Sequence, residues 1–484
     1  MDKQSIKNIL KLLSTVGMGL SILFLLPIFV GAYYEEHYVD FIMFDTSFFL
    51  INFFFYLLVR NHKVGLSIKE GILSVNLIWI LLGIAGGIPL YIYTDISVMK
   101  AFFEAVSGFT TTGATIYQDI EALPNMILMH RSLMHWIGGM GIIVLSVGLL
   151  SLINPNGSLT LFKAESTGIK LEKITPKIKD TATQLWIIYL LFTATCTFLL
   201  TIEGMGFFDA INHAFSTIST GGFSTKNSSV GYFAQDPLIL WTITFFMIIS
   251  GINFLAHLKF MKGDTIGYKT EEVFWYLIIF CSISILLTLS AMQKTDFEWF
   301  EAFTHASFNV ASLLTTTGFA SSDYELWGQL CITLFFIVML IGGNAGSTSG
   351  GVKIIRFVLG AKVVIAEIKK ILHPNAIINV FVNHNMLPTN VISATFGFFL
   401  LFVFTNAIVV VYLYANGYDA LSSISTAIAC IGNVGPGFGL VGPAKNYAFF
   451  HDTDLFVLSL AMIIGRLEIY TFFLVLMPSF WKKF

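Results

Sequence analysis

Four glycines, Gly113, Gly222, Gly318 and Gly435, each close a short cluster of small and hydroxyl-bearing residues: "TTTGAT" (110–115), "STGGFS" (219–224), "TTTGFA" (315–320) and "IGNVGPG" (431–437). They stand 109, 96 and 117 residues apart, preceded by Thr111-Thr112, Thr220-Gly221, Thr316-Thr317 and Asn433-Val434. Glycine reaches positive φ without strain, so successive carbonyl groups can turn toward one side. A ring of such oxygens can replace the water shell of an alkali cation. One cluster alone reads as an ordinary turn, but four in register make internal self-similarity the stronger signal. The candidate cation ligands are therefore Thr111, Thr112, Gly113, Thr220, Gly221, Gly222, Thr316, Thr317, Gly318, Asn433, Val434 and Gly435.

A second set concerns access to that ring. The stretch "IGGNAGSTSGGVK" contains Gly346, Ser347, Thr348, Ser349, Gly350 and Gly351, a run of glycine, serine and threonine inside an apolar span. Glycine costs about 1 kcal/mol relative to alanine within a helix. An irregular loop is expected there, placed to obstruct a pore and act as a gate. Arg466 lies deep in the last apolar span. A charge at that depth costs at least about 2.5 kcal/mol and normally faces a cavity or a partner. In register it matches Gly139, Gly251 and Gly343 of the other repeats, so it is expected to face the axis and pair with the gate loop's carbonyls. Tyr470, at i+4, is expected to share its face.

The elements that must position these residues are membrane helices. The chain has 484 residues, of which 56% are hydrophobic and 12% charged, about half the charge of a soluble protein, and its mean hydropathy is +0.79. Ten apolar spans near 7–33, 41–59, 70–93, 125–152, 181–203, 237–258, 272–292, 327–362, 388–415 and 452–477 are long enough to cross a bilayer. The first exceeds a signal-peptide core and is read as uncleaved. Four shorter apolar stretches, 96–109, 208–218, 299–314 and 419–430, each precede a glycine cluster and read as re-entrant half-helices whose negative dipole ends favour a cation. Residues 1–69 form a two-helix preface. Four units follow, each helix, half-helix, glycine loop and helix: 70–152, 153–262, 263–387 (with the broken helix) and 388–484.

With the N-terminus inside, five of the 27 basic residues (Lys100, Arg131, Lys226, Lys294 and Lys445) fall outside and Arg466 in a span, leaving 21 inside. This bias fits the positive-inside rule. Acidic residues gather at the outer ends of the spans, Asp45 and Glu104 among them. The cysteines, Cys196, Cys281, Cys331 and Cys430, lack C-x-x-C spacing and read as packing residues.

Several patterns carry no chemistry. Gly437-x-Gly439-x-x-Gly442 spells a dinucleotide fingerprint but follows a half-helix rather than a strand. The histidines, including His135, His213 and His305, form no metal-ligand spacing. No convergent catalytic set points to an enzyme. A proton- or sodium-coupled symporter is the alternative function, although such carriers usually combine inverted repeats with a buried ionisable relay, whereas these repeats run parallel.

The motifs "SGFTTTGAT", "RSLMHWIGGMGIIVL" (131–145), "AFSTISTGGFST" (214–225), "GGNAGSTSGGVK" (342–353) and "IGRLE" (464–468) resemble the Trk/Ktr/HKT superfamily over essentially the whole chain. The resemblance implies an all-α polytopic membrane protein with four potassium-channel-like units and two extra N-terminal helices. It implies K⁺ bound in a filter whose glycines are Gly113, Gly222, Gly318 and Gly435, with Rb⁺ also passing. Asn433, Val434 and Pro436 depart from the Thr-Gly pattern of the other loops. It further implies a gate at 346–351 with Arg466, a homodimer in a bacterial inner membrane with both termini cytoplasmic, and no nucleic-acid partner. The connection 153–180 is too small for a nucleotide-binding domain, so control falls to another subunit. The resemblance implies a cytosolic nucleotide-binding RCK ring of the TrkA type.

Overall fold

The computed structural model describes residues 3–62, 65–153 and 178–482, without the side chains of 144–153 and 178–179. The preface is α1 (Lys3–Tyr33) and α2 (Val39–Val59). Of the 21 residues of α2 only Phe41, Asp45, Asn52 and Val59 are buried, which leaves an apolar face suited to lipid. Unit one is α3 (Ile68–Tyr93), the short α4 (Val98–Phe109) and α5 (Asn125–Ile153). Unit two is α6 (Ile178–Ile202), the short α7 (Phe207–Ile218), α8 (Pro237–Ser250) and α9 (Phe254–Met261). Unit three is α10 (Glu271–Lys294), the short α11 (Trp299–Leu314), α12 (Gln329–Ile341) and α13 (Ile354–Leu372). Unit four is α14 (Thr389–Ala415), the short α15 (Ala420–Ile431), α16 (Asp452–Arg466) and α17 (Tyr470–Leu476), with a last turn, α18 (Pro478–Trp481). The connection 154–177 lies outside the described residues.

Local chemistry starts these helices. Ser67 caps α3 in a capping box with Glu70, Ser97 caps α4, and Asp419 caps α15 by accepting from the Ser422 amide at 3.0 Å. Polar side chains within the spans turn back on their own helix. Asn52, Asn76, Thr193, Thr405 and Asn406 each donate to the carbonyl four residues earlier, the partner at hand where water is excluded.

Helices lie over each of the ten apolar stretches, but among the described residues six are long and apolar enough to cross a membrane, or eight if each bent pair is one span. The span read as 237–258 bends by 96° between α8 and α9, and the span read as 452–477 bends by 115° between α16 and α17. Glu468 and Ile469 take positive φ (57° and 52°) at the second bend, so the i+4 relation of Tyr470 to Arg466 does not hold. Instead, the Tyr470 hydroxyl donates to the Ala394 carbonyl at 2.9 Å. The eighth span is interrupted as expected, between Ile341 and Ile354. Beyond α13 a two-stranded hairpin, β1 (Phe381–Val382) with β2 (Asn385–Met386), was not foreseen.

Arg131 and Glu104 require correction. Arg131 does not lie in an outer connection but in the second turn of α5, and its nearest acid is Glu104 on α4, with side chains 1% and 0% exposed. Asp45 likewise is buried within α2. Arg466 is also not alone among buried basic residues, because Arg131, Lys353 and Arg356 are buried too. Tyr117 of unit one and Phe223 and Ser224 of unit two close over the Arg131–Glu104 pair.

Candidate functional site: a ring of four glycine loops

Each short helix ends in the same way. After α4 the Thr112 amide donates to the Ser107 carbonyl (2.9 Å) and the Thr111 amide to Gly108 (3.1 Å). The corresponding bonds are Gly221 to Ser216 and Thr220 to Thr217, Thr317 to Ser312 and Thr316 to Leu313, and Val434 to Ala429 and Asn433 to Cys430. This paired pattern is the Schellman helix end, which needs a left-handed residue and usually has glycine there. Here Thr111, Thr220, Thr316 and Asn433 hold φ of 53°, 54°, 56° and 52°. Left-handed backbone costs an ordinary residue about 1–2 kcal/mol, and such strain gathers at functional sites. Asparagine bears it most readily, so the departure of the fourth loop keeps the same backbone.

Two residues on, Gly113, Gly222, Gly318 and Gly435 are again left-handed, at φ 82°, 85°, 82° and 94°. Every second residue thus reverses the sense of the chain, and successive carbonyls can face one side. The glycines close a ring. A Cβ on Gly113 would collide with the Gly221 carbonyl oxygen, one on Gly222 with that of Thr317, one on Gly318 with that of Val434, and one on Gly435 with that of Thr112. All four glycines line one cavity of about 100 Å³.

Side chains hold the loops in place. The Asn433 amide donates to the Thr112 hydroxyl and to the Met462 carbonyl, both at 3.0 Å, joining loop four to loop one. Thr110 pairs with Thr112, and Thr315 with Thr317, hydroxyl to hydroxyl at 2.7 Å. Tyr447 donates to the Gly435 carbonyl at 2.7 Å. Gly221 fits where the other loops have larger residues because a Cβ there would meet the His135 ring. His135 bonds the Gly108 carbonyl at 2.7 Å and lies 4.0 Å from the Phe223 ring.

The expected gate loop reaches these loops directly. The Gly350 amide donates to the Thr316 hydroxyl at 2.6 Å. The Gly351 amide donates to the Gly432 carbonyl at 2.8 Å. The Thr348 hydroxyl is 3.2 Å from the carbonyls of Ile218 and Ser250. Arg466, 3% exposed, donates to the Thr348 carbonyl at 3.0 Å. Gly346 accepts from the Phe254 amide at 3.0 Å, and Ser347 bonds back to Asn344. Lys353, which the sequence did not single out, donates to the Ser349 carbonyl. Glu272 on α10 accepts from the Ala345 amide at 2.6 Å. Glu468 pairs with Arg356 at 3.0 Å rather than with Arg466. Lys353 was missed because the glycine, serine and threonine run before it drew the reading, and the cross-loop bond of Asn433, itself a candidate ligand, was not readable because its partner is 321 residues away.

Second helices approach these loops through glycine. A Cβ on Gly138 would strike the Phe109 carbonyl oxygen and one on Gly465 that of Ile431, so α5 and α16 touch the backbone at the ends of α4 and α15. Gly139 and Gly251 play matching parts against Ser219 with Tyr189 and against Thr315 with Tyr276. Among the described residues, no group of three or more His, Cys, Asp and Glu could hold a metal ion.

A family of cation transport proteins, TrkH, matches residues 40–483. The chain is 37% identical over 431 residues to the Trk system potassium uptake protein TrkH of Salmonella typhimurium, covering 88% of each. It is 36% identical to the protein of that name from Vibrio parahaemolyticus, covering 99% of each. It also resembles the crystal structure of the potassium transporter TrkH from Vibrio parahaemolyticus, with a TM-score of 0.89, 33% identity and coverage of 99% of this chain and 100% of that one.

Proposed function

Because the chain belongs to the TrkH family of cation transport proteins, we propose that it takes up potassium ions through a gated, channel-like pore. It is a multi-pass membrane protein and not an enzyme. The observation that carries the reading is the closed ring, in which each of Gly113, Gly222, Gly318 and Gly435 abuts the carbonyl preceding the next loop's glycine. In this reading Thr112, Gly221, Thr317 and Val434 present those carbonyls to a dehydrated K⁺, and Rb⁺, of similar size, passes too. Thr111, Thr220, Thr316 and Asn433 hold the strained turn below. The dipoles of α4, α7, α11 and α15 end at the ring and favour a cation there.

Gly346 to Gly351 form the gate in this reading. Contacts of Thr348 with the end of α7 and of Gly350 and Gly351 with loops three and four support its lying across the passage, and Arg466 holds it from the fourth unit while adding a positive charge that slows cations. The four units of helix, short helix, loop and helix are the working modules, behind the two-helix preface. The protein works in a bacterial inner membrane with both termini cytoplasmic, as a homodimer, and is opened by a cytosolic nucleotide-binding RCK ring. Its relatives' names place them in a Trk system, which supports a multi-component assembly.

Rubidium tracer uptake into vesicles holding the purified protein tests the reading. Uptake down the ion's own gradient, displaced by K⁺ and poorly by Na⁺, is expected. Uptake that ceases without a proton or sodium gradient would make the protein a symporter instead.

A further inference from the structure

A buried ion pair stands behind loops one and two. Arg131 Nε donates to Glu104 Oε1 at 2.9 Å, with neither side chain more than 1% exposed. The same guanidinium joins its own unit to unit two. Its Nη2 donates to the Thr115 hydroxyl at 3.1 Å and its Nη1 to the Ser224 carbonyl at 3.3 Å. Its carbon lies 4.1 Å from the centre of the Phe223 ring and 5.5 Å from that of Tyr117. Glu104 accepts in turn from the Thr115 hydroxyl and the Ile116 amide, each at 2.9 Å. Thr115 and Ser224 both lie two residues beyond a ring glycine.

The segments beyond the other ring glycines are held by half-buried carboxylates, Asp209 accepting from the Thr225 hydroxyl at 2.6 Å and Glu325 from the Gly439 amide at 2.7 Å, and by neutral groups within one unit. His213 bonds the Ser224 hydroxyl at 2.9 Å, Asn309 the Ser321 hydroxyl at 3.1 Å, and Ser425 the Phe438 carbonyl at 2.9 Å. A buried ion pair is weak evidence for stability, since desolvation offsets the attraction. What a planar guanidinium with five donors in a fixed fork does provide is position. Here the fork grips the chains leaving Gly113 and Gly222, at the point where Gly113 abuts the Gly221 carbonyl.

We propose that Arg131 and Glu104 are positioning residues that set the separation of loops one and two, and through it the discrimination between K⁺ and Na⁺. Neither touches the ion. The proposal rests on reading the four loops as an ion filter, so the experiment separates the two.

Rubidium tracer uptake by the full-length protein in vesicles, competed with K⁺ or Na⁺, is measured for wild type, Gly113→Ser, Arg131→Lys and Thr115→Val. Arg131→Lys keeps the charge opposite Glu104 but loses the fork, and narrows the ratio of Na⁺ to K⁺ inhibition constants by about tenfold. Thr115→Val removes the shared hydroxyl, leaves the ion pair, and narrows the ratio several-fold at normal protein yield. If Gly113→Ser shifts the ratio while Arg131→Lys and Thr115→Val leave it unchanged, the positioning role is wrong. The same holds if they lower yield alone. If Arg131→Lys fails to accumulate, Thr115→Val decides. If Gly113→Ser also leaves the ratio unchanged, the filter reading itself falls.

Discussion

The Gly350 amide donates to the Thr316 hydroxyl at 2.6 Å, so the interrupted helix of unit three touches the strained turn of its own glycine loop. Under the proposed gating, movement of the 346–351 loop alters the surroundings of the glycine ring through this bond. Arg466, bonded to the Thr348 carbonyl at 3.0 Å, ties the same loop to unit four.

Deleting 346–351, or replacing Arg466 with alanine, is expected to raise tracer flux severalfold in the absence of a regulatory subunit. Under the proposed gating both changes free the loop, and the alanine also removes a buried charge. Flux assays on the protein alone check this, and wild-type flux in both variants would count against the gate.

Thr316→Val keeps the shape but loses the hydroxyl that accepts from Gly350. It is expected to raise basal flux through lost gate contact, by about the 0.5–1.5 kcal/mol of a typical net hydrogen bond. Basal flux unchanged within that range would show that the bond does not hold the gate.

Gly113→Ser places a Cβ against the Gly221 carbonyl at a left-handed position. The carbonyl must give way, and K⁺ over Na⁺ discrimination is expected to fall by at least about tenfold, or 1.4 kcal/mol. Competition of tracer uptake by the two ions measures it.

Gly138→Ala and Gly465→Ala test the packing that carries the ring. Each added methyl meets a carbonyl oxygen at the end of a short helix, Phe109 or Ile431. Overpacking of this kind costs about 1–3 kcal/mol. Thermal unfolding in detergent should show lowered stability for both, while the same change at Gly141, which has open space around it, should not.

The ring glycines, the short helices and the interruption at 342–353 were legible because each rests on local pattern: apolar runs of set length, and glycine where backbone must turn. The left-handed Thr111, Thr220, Thr316 and Asn433 were legible by position but not by conformation, since threonine ordinarily avoids it. The bends at 251–253 and 467–469 were not legible. Neither holds proline, and at the second Glu468 and Ile469 adopt positive φ under tertiary packing alone. Arg131 was misplaced because a charge near a helix end looks solvated until its neighbours are known. The bond from Asn433 to Thr112 spans 321 residues, beyond any local reading.

The most direct measurement is crystallographic: anomalous scattering from crystals of this protein grown in rubidium. A peak on the axis encircled by the carbonyl oxygens of Thr112, Gly221, Thr317 and Val434 is the predicted result. Rubidium absent from that ring but bound elsewhere in the protein would contradict the account.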